Sequence, residues 1–275
     1  MQKVRVNRNG NAVWGYRKQS NLYLDNGEKI SESDAEYLPP VEPTKIIAVH
    51  LNYSSRLNAF GGEKPPWPSY FLKPVSALSS HRSFVARPKN TKYLNYEGEI
   101  AVIIGKRAKS VTREDAMNYV AGYCPANDFG LHDFRTSDNN SMLRVKGQDG
   151  FCPIGPSIIP AHEIDPQNIQ LKTYVNGKQV QEGNSKEFIF PFDYLIADLS
   201  RLITLQPGDI ILTGSPANSR PVQPGDKVAV EIEGYCRLEN TILESDVDFH
   251  DFGAQPEDSE YGRNTAYEIM TLQKQ

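Results

Sequence analysis

Cysteine is scarce and scattered. The chain has three, Cys124, Cys152 and Cys236, with no CxxC pair among them. An odd, dispersed set excludes a disulfide framework and a thiolate-built metal site, and fits reduced thiols in a cytosol. Positive charge is not in excess either: 30 Lys and Arg stand against 34 Asp and Glu, a net charge of -4. That excludes the basic footprint of a nucleic-acid binder. No apolar run reaches membrane-spanning length, and the opening residues MQKVRVNRNG contain no apolar signal core. The expectation is a cytoplasmic protein with no membrane partner. Also missing are internal repeats, low-complexity stretches, and a βαβ alternation with a Gly-rich fingerprint. A dinucleotide-binding fold is therefore not supported.

What remains is ordinary globular composition over 275 residues, enough for one large domain and a small appendage. Residues 1–44 read as a small N-terminal β domain, with short β-prone runs punctuated by Asn9-Gly10 and Asn26-Gly27. Leu38-Pro39-Pro40-Val41-Glu42-Pro43 is a stiff linker that neither strand nor helix carries through. Residues 45–245 form the main domain, and 246–275 an acidic, loop-like C-terminal extension whose role the sequence does not show.

Within the main domain Ile46–Val49 reads as the first strand, and a second short strand ends at Phe71-Leu72-Lys73-Pro74. The Gly61–Pro68 stretch, rich in turn residues, reads as a mobile surface segment or lid. Residues 76–95 look irregular. Thr112 is an N-cap with Asp115 three residues on, predicting a helix over about 113–121. The alternation around Asn176-Gly177 predicts a hairpin over 171–180. Leu195, Ile196, Leu199, Leu202 and Ile203 form one stripe, predicting a helix from Asp193 to about Leu205, stopped by Pro207-Gly208. Asp209–Thr213 and Lys227–Ile232 complete the strands. The class expected is α+β, mostly β, with mixed sheets.

The most informative stretch is Tyr96 to Pro156. Glu97 and Glu99 are two apart at the entry to an Ile/Val run, so on a strand both carboxylates share one face. The run then turns fully apolar, as a buried strand does. Two adjacent carboxylates repel unless one is protonated or a cation lies between them. A hard divalent cation such as Mg²⁺ takes oxygen ligands of this kind, and Asp128, in a following Gly- and Asn-flanked turn, can supply a third. Lys146 adds a charge able to hold a substrate anion, or to shift its own pKa through burial.

Eight motifs then occur in one order: LNYSSR (51–56), YFLKP (70–74), YEGEIAVIIGK (96–106), YVAGYCPANDFGLHDF (119–134), RVKGQDGFCPIGP (144–156), TYVNGKQVQ (173–181), LQPGDIILTGSP (205–216) and VQPGDKVAVEIEG (222–234). Together they resemble the fumarylacetoacetate hydrolase family, in its branch of 2-hydroxyhepta-2,4-diene-1,7-dioate isomerases and 5-oxopent-3-ene-1,2,5-tricarboxylate decarboxylases. The resemblance implies a mixed β-sandwich roll, a homodimer, and a metal in the mouth of the roll. It places the family's metal ligands on Glu97, Glu99 and Asp128, and its active-site lysine on Lys146. Thr213 and Gly214 fall in the turn that binds a substrate carboxylate, and Lys73 takes a supporting part nearby.

Two departures bear on the chemistry. Where many family members carry a His and a following Glu that activate water, this chain has Arg56 and Ala59. A guanidinium stays protonated and is no general base. Where the family often has an Arg after the metal Asp, His132 stands, with Arg135 one turn on; His81, His162 and His250 read as incidental. The resemblance thus implies an Mg²⁺-dependent isomerase/decarboxylase (Mn²⁺ being the alternative ion) acting through a metal-stabilised enolate of a 2-oxo or 2-hydroxydienoate diacid of aromatic catabolism. Arg56 suits a bidentate grip on the distal carboxylate, and His132 is a further substrate contact. The rival on the same site is an acylpyruvate hydrolase or an oxaloacetate decarboxylase, hydrolysis requiring another water activator such as His132.

Overall fold

A computed structural model of the chain describes residues 2–247 and 249–269. Residues near the N-terminus form a five-stranded antiparallel sheet in the order Lys29–Ser31, Asn21–Leu24, Asn11–Lys18, Gln2–Arg8, Glu36–Tyr37. Asn9 and Gly10, both at positive φ, make its first turn, the backbone that a two-residue hairpin loop requires. Alternate residues Val4, Val6, Leu22 and Leu24 bury one face together with Tyr37, so this sheet has its own small core. The proline-rich segment 38–43 follows directly.

Two larger sheets carry the rest. The first runs Tyr70–Lys73, Ile46–Val49, Ile210–Leu212, Gly98–Ile104, Val120–Asn127, Cys152–Ile154, Leu78–Ser80. It is mixed: Ile210–Leu212 pairs parallel with Ile46–Val49, and Cys152–Ile154 parallel with Leu78–Ser80, while the other neighbours are antiparallel. Its central strand Gly98–Ile104 is buried throughout. Ile100, Val102 and Ile104 enter one apolar cluster, and Ala101 and Ile103 the cluster on the other side. That is the period-two pattern of a strand covered on both faces. The second sheet, Lys178–Asn184, Gln170–Val175, Lys227–Ile232, Cys236–Ser245, Phe84–Pro88, lays Leu171, Val230, Ile232 and Leu238 into the first of those clusters. The result is a mostly β, curled mixed sandwich. No helix among the described residues is long and apolar enough to cross a membrane.

Several elements differ from the sequence reading. The helix expected over 113–121 ends at Ala116; a tight turn over Met117–Tyr119 follows, and Val120 opens a strand. Thr112 does cap it, its hydroxyl accepting from the Asp115 amide at 3.3 Å. The shortening has a tertiary cause: Val120 pairs with Ile104, and the Gly105 amide donates to Tyr119. The long helix spans Phe192–Leu202 rather than Asp193–Leu205. Leu195, Ile196 and Leu199 face the core, but Leu202 is 68% exposed because the helix stops before the stripe closes. Residues 76–95, expected to be irregular, contain Leu78–Ser80, Phe84–Pro88 and Leu94–Asn95, each paired to a strand distant in sequence. A short helix, Ser54–Ala59, and the ten-residue strand Cys236–Ser245 had no sequence expectation.

Candidate metal centre and active site

The register of two strands builds the acidic centre. Gly98 pairs with Asn127, so Glu97 and Asp128 lie opposite each other at the strand ends, where the Asp128 amide donates to the Glu97 carbonyl at 2.8 Å. Glu99, two residues from Glu97, points the same way. Ligand oxygens of Glu97, Glu99 and Asp128 all lie within 4.8 Å of one another, and all three residues are buried. The alternate residue, Gly98, faces the second sheet so closely that a Cβ there would meet the Thr173 hydroxyl at 2.0 Å. Glycine is what lets the two sheets close on this strand end while both carboxylates converge with Asp128.

Cations surround the acids. Lys73, at the end of strand Tyr70–Lys73, has its ammonium on one Asp128 oxygen and donates to the Phe151 carbonyl at 3.2 Å. Lys146, from the short helix Leu143–Lys146, donates to the Asp128 carbonyl at 2.7 Å and pairs with Glu97 at 2.8 Å and the other Asp128 oxygen at 3.0 Å. Arg56, delivered by the helix Ser54–Ala59, donates to Glu97 at 2.8 Å. Gly130 beside Lys146 has no side chain to displace the lysine: a Cβ would lie 3.0 Å from Cε.

Burial and charge set the protonation of these groups. Burial, then the Asp128 and Glu97 charges, push Glu99 well above the usual carboxylate range; a 2.7 Å bond from the Gly214 amide offsets only part of that. For Glu97 burial raises the pKa, but Arg56 and Lys146 outweigh it and hold the group below its ordinary range. Lys146 departs from expectation. Burial pulls its pKa down, yet Asp128 and Glu97 more than offset this and hold the ammonium above the ordinary lysine value. It is a retained charge, not a base poised by desolvation.

The structure brings Glu97, Glu99, Asp128, Lys146, Lys73 and Arg56 into one cluster. Gly214 joins it through its amide. Thr213 lies one residue away with its hydroxyl donating to the Ile100 carbonyl at 2.7 Å, turned into the sheet. Asn52 fixes this turn by donating to the carbonyls of Phe190 and Thr213, each at 3.0 Å. His132 is 2% exposed, and neither ring nitrogen has a hydrogen-bond partner among the described residues. Burial, then Arg135 and Lys146, hold its imidazole neutral. Glu268 was invisible to sequence reasoning: it returns from the C-terminal extension to place an oxygen 3.5 Å from the Arg56 Nε. An isolated Glu in an acidic tail carries no signal that could have found it.

Three buried, convergent carboxylates, one of them pushed toward its protonated form by burial and its acidic neighbours, fit a hard divalent cation with oxygen ligands such as Mg²⁺ or Mn²⁺. A pH dependence follows for the metal-free protein. Glu99 binds its proton more tightly folded than unfolded, so its contribution to stability is full below the ordinary carboxylate pKa and fades as pH rises toward the folded value. In EDTA, Glu99→Gln is therefore expected to gain melting temperature relative to the native protein as pH rises above the ordinary carboxylate range. Each gain of about 1 kcal/mol corresponds to roughly 2–4 °C in a chain of this size. Parallel melting curves above that range would contradict a raised Glu99.

Comparison with known proteins bears on this site. The fumarylacetoacetate hydrolase C-terminal family model matches residues 45–243. A 4-hydroxyphenylacetate degradation bifunctional isomerase/decarboxylase of Escherichia coli is 39% identical over 230 residues, 83% of this chain and 53% of that protein. The chain thus spans about half the length of that relative. Among solved structures, 5-carboxymethyl-2-hydroxymuconate delta-isomerase from Mycobacterium smegmatis superposes with a TM-score of 0.79 at 30% identity, over 89% of this chain and 99% of the other. A Sphingobium maleylpyruvate hydrolase in complex with manganese(II) and pyruvate gives 0.75 at 27% identity, over 89% and 100%.

Proposed function

The chain belongs to the fumarylacetoacetate hydrolase family, and from that premise we propose a divalent-metal-dependent isomerase/decarboxylase of 2-oxo acids or their 2-hydroxydienoate forms. The observation that carries this reading is the buried Glu97, Glu99, Asp128 cluster with Lys146 and Arg56 against it. Those three carboxylates would hold the ion, Mg²⁺ with Mn²⁺ as the alternative. When bound, it supplies Lewis-acid polarisation of the 2-oxo group, which favours enolisation.

The protein's own residues supply the rest. Lys146 keeps a positive charge beside the centre, where it balances developing negative charge and can return a proton to carbon. Lys73 holds Asp128 in place from the opposite side. The Asn52-braced turn presents Gly214 to Glu99, fixing that carboxylate. Charge balance favours an anionic substrate. With Glu99 protonated, Glu97, Asp128 and Glu268 face the four cations Arg56, Lys73, Lys146 and Arg220. A divalent cation that displaces the Glu99 proton leaves the site net positive.

An enolate equilibrium serves isomerisation and decarboxylation without an activated water, which suits a site with Arg56 and Ala59 where relatives use a water-activating pair. Residues 45–245 would form the catalytic unit, with a homodimer as the assembled form, both readings taken from the family resemblance. Hydrolysis is the second reading, favoured by one observation: His132 is a neutral imidazole with both nitrogens free of partners among the described residues. An ultraviolet assay of EDTA-stripped protein with oxaloacetate, acetylpyruvate and a 2-hydroxydienoate, with and without Mg²⁺, separates the two. Metal-dependent consumption of oxaloacetate or the dienoate, with acetylpyruvate untouched, is expected. Rapid cleavage of acetylpyruvate would overturn the isomerase/decarboxylase reading in favour of hydrolysis.

A further inference from the structure

The C-terminal extension places one carboxylate in a pocket built to hold carboxylates. Glu268 accepts from the Asn218 amide at 2.7 Å and the Ser219 amide at 3.1 Å, and pairs with Arg220 at 3.0 Å and Arg56 at 3.5 Å. Its side chain is 2% exposed. Two backbone N–H groups and the Arg220 guanidinium bonded to one buried carboxylate, with the Arg56 guanidinium at ion-pair distance, amount to a recognition site for an acid, not a surface ion pair. The amides belong to the loop that leaves the Gly214 turn. The Arg56 guanidinium spans both centres, with one nitrogen on Glu97 and another facing Glu268. The pocket therefore lies one guanidinium away from the acidic centre, where the far end of an elongated 2-oxo acid would reach.

The segment carrying Glu268 is fastened along its length. Glu257 donates its amide to Asp133 at 2.9 Å. Gly262 packs so closely on His132 that a Cβ would come within 2.7 Å of its carbonyl oxygen. The Asn95 side chain donates to the Ala266 carbonyl at 2.8 Å and to the Ser219 hydroxyl at 2.9 Å, tying the segment to the same loop that holds Glu268. The family match ends at residue 243, so this strap lies outside it.

We propose that the Asn218 and Ser219 amides, Arg56 and Arg220 form a distal carboxylate subsite, and that Glu268 fills it from within the chain, making Glu268 a specificity-determining residue that refuses substrates with a second, remote carboxylate. The proposal rests on the 2-oxo-acid reading of the site and narrows it to acids whose far end is uncharged. The expectation that Arg56 grips a substrate's distal carboxylate is replaced here by an intramolecular grip. A second remote carboxylate would meet Glu268 as a like charge and find the two amides and Arg220 already engaged.

Two readouts on the full-length protein test this. In metal-free protein, Glu268→Ala opens a carboxylate-sized gap among four donors, so propionate should raise the melting temperature of that variant and leave the native protein unmoved. No response in the variant would overturn the subsite, as would an equal response in both. In Mg²⁺-loaded protein, kcat/KM is compared for 2-hydroxyhepta-2,4-dienoate and the corresponding 1,7-dioate. Glu268→Gln, which keeps the shape of the side chain, should shift the ratio toward the dioate by at least about tenfold, through KM, as expected for removal of one like charge near a buried site. An unchanged ratio, or a native enzyme that already prefers the dioate, would overturn the selection. A propionate response with neither acid turned over would uphold the subsite while removing the activity it serves.

Discussion

Asp128→Asn is expected to weaken divalent-cation binding by at least about 100-fold, since a lost ligand charge costs more than the outer partners whose removal alone costs about 10–100-fold. Turnover should fall by roughly a thousandfold, the equivalent of about 4 kcal/mol of lost transition-state stabilisation. The residue has two neighbours that make the loss unusually informative. Lys73 and Lys146 sit on its two oxygens, and the Lys73 side chain is fully buried. Neutralising the carboxylate strands a buried ammonium, a penalty of about 3–5 kcal/mol. The melting temperature should therefore drop by on the order of 10 °C with or without metal. Calorimetric Mg²⁺ titration and thermal melts check both parts. Native metal affinity in Asp128→Asn would remove this residue from the ligand set.

Lys146→Met should behave differently, and the contrast separates the ligands from the lysine. Methionine keeps most of the volume and removes the charge, leaving Glu97, Glu99 and Asp128 in place. Turnover should fall by about 10²–10⁴-fold, the range for a positioned proton-transfer group. Metal binding should persist, because the lost ammonium was a cation competing for the same carboxylates. Without metal, Glu97 and Asp128 lose a partner and the variant should melt well below the native protein; Mg²⁺ should recover much of that difference. Steady-state rates and melts in EDTA and in Mg²⁺ read this directly. Intact turnover would take Lys146 out of the mechanism.

What was legible in the sequence was local. Glu97 and Glu99 could be placed on one face because a strand has period two, and the apolar run behind them announced a buried strand. The Asn176-Gly177 hairpin and the stripe of the helix Phe192–Leu202 were readable for the same reason. The alignment of Asp128 opposite Glu97 was not readable from residues alone, since it depends on the pairing of Gly98 with Asn127. Phe84–Pro88 escaped notice because its parallel partner, Cys236–Ser245, comes from near the far end of the chain. Long-range pairing overrides weak local propensity. The same distance hid the contact between Arg56 and Glu268. Arg56 looked like a free guanidinium awaiting a substrate, yet the fold supplies it with two carboxylates of its own. Lys146 looked like a group whose pKa burial would lower, and nearby acids reverse the sign.

With a divalent cation held by Glu97, Glu99 and Asp128, loss of the proton at C3 of a bound 2-oxo acid should be accelerated. Exchange of the pyruvate methyl protons in D₂O, followed by proton NMR, reads that step without assuming which product is made. With Mg²⁺ the protein should accelerate exchange well above the protein-free rate, EDTA should abolish the effect, and Asp128→Asn should fail to restore it when Mg²⁺ is added back. Exchange that is no faster with the metal-loaded protein than with Mg²⁺ alone, or that survives EDTA unchanged, would contradict enolisation at this acidic cluster.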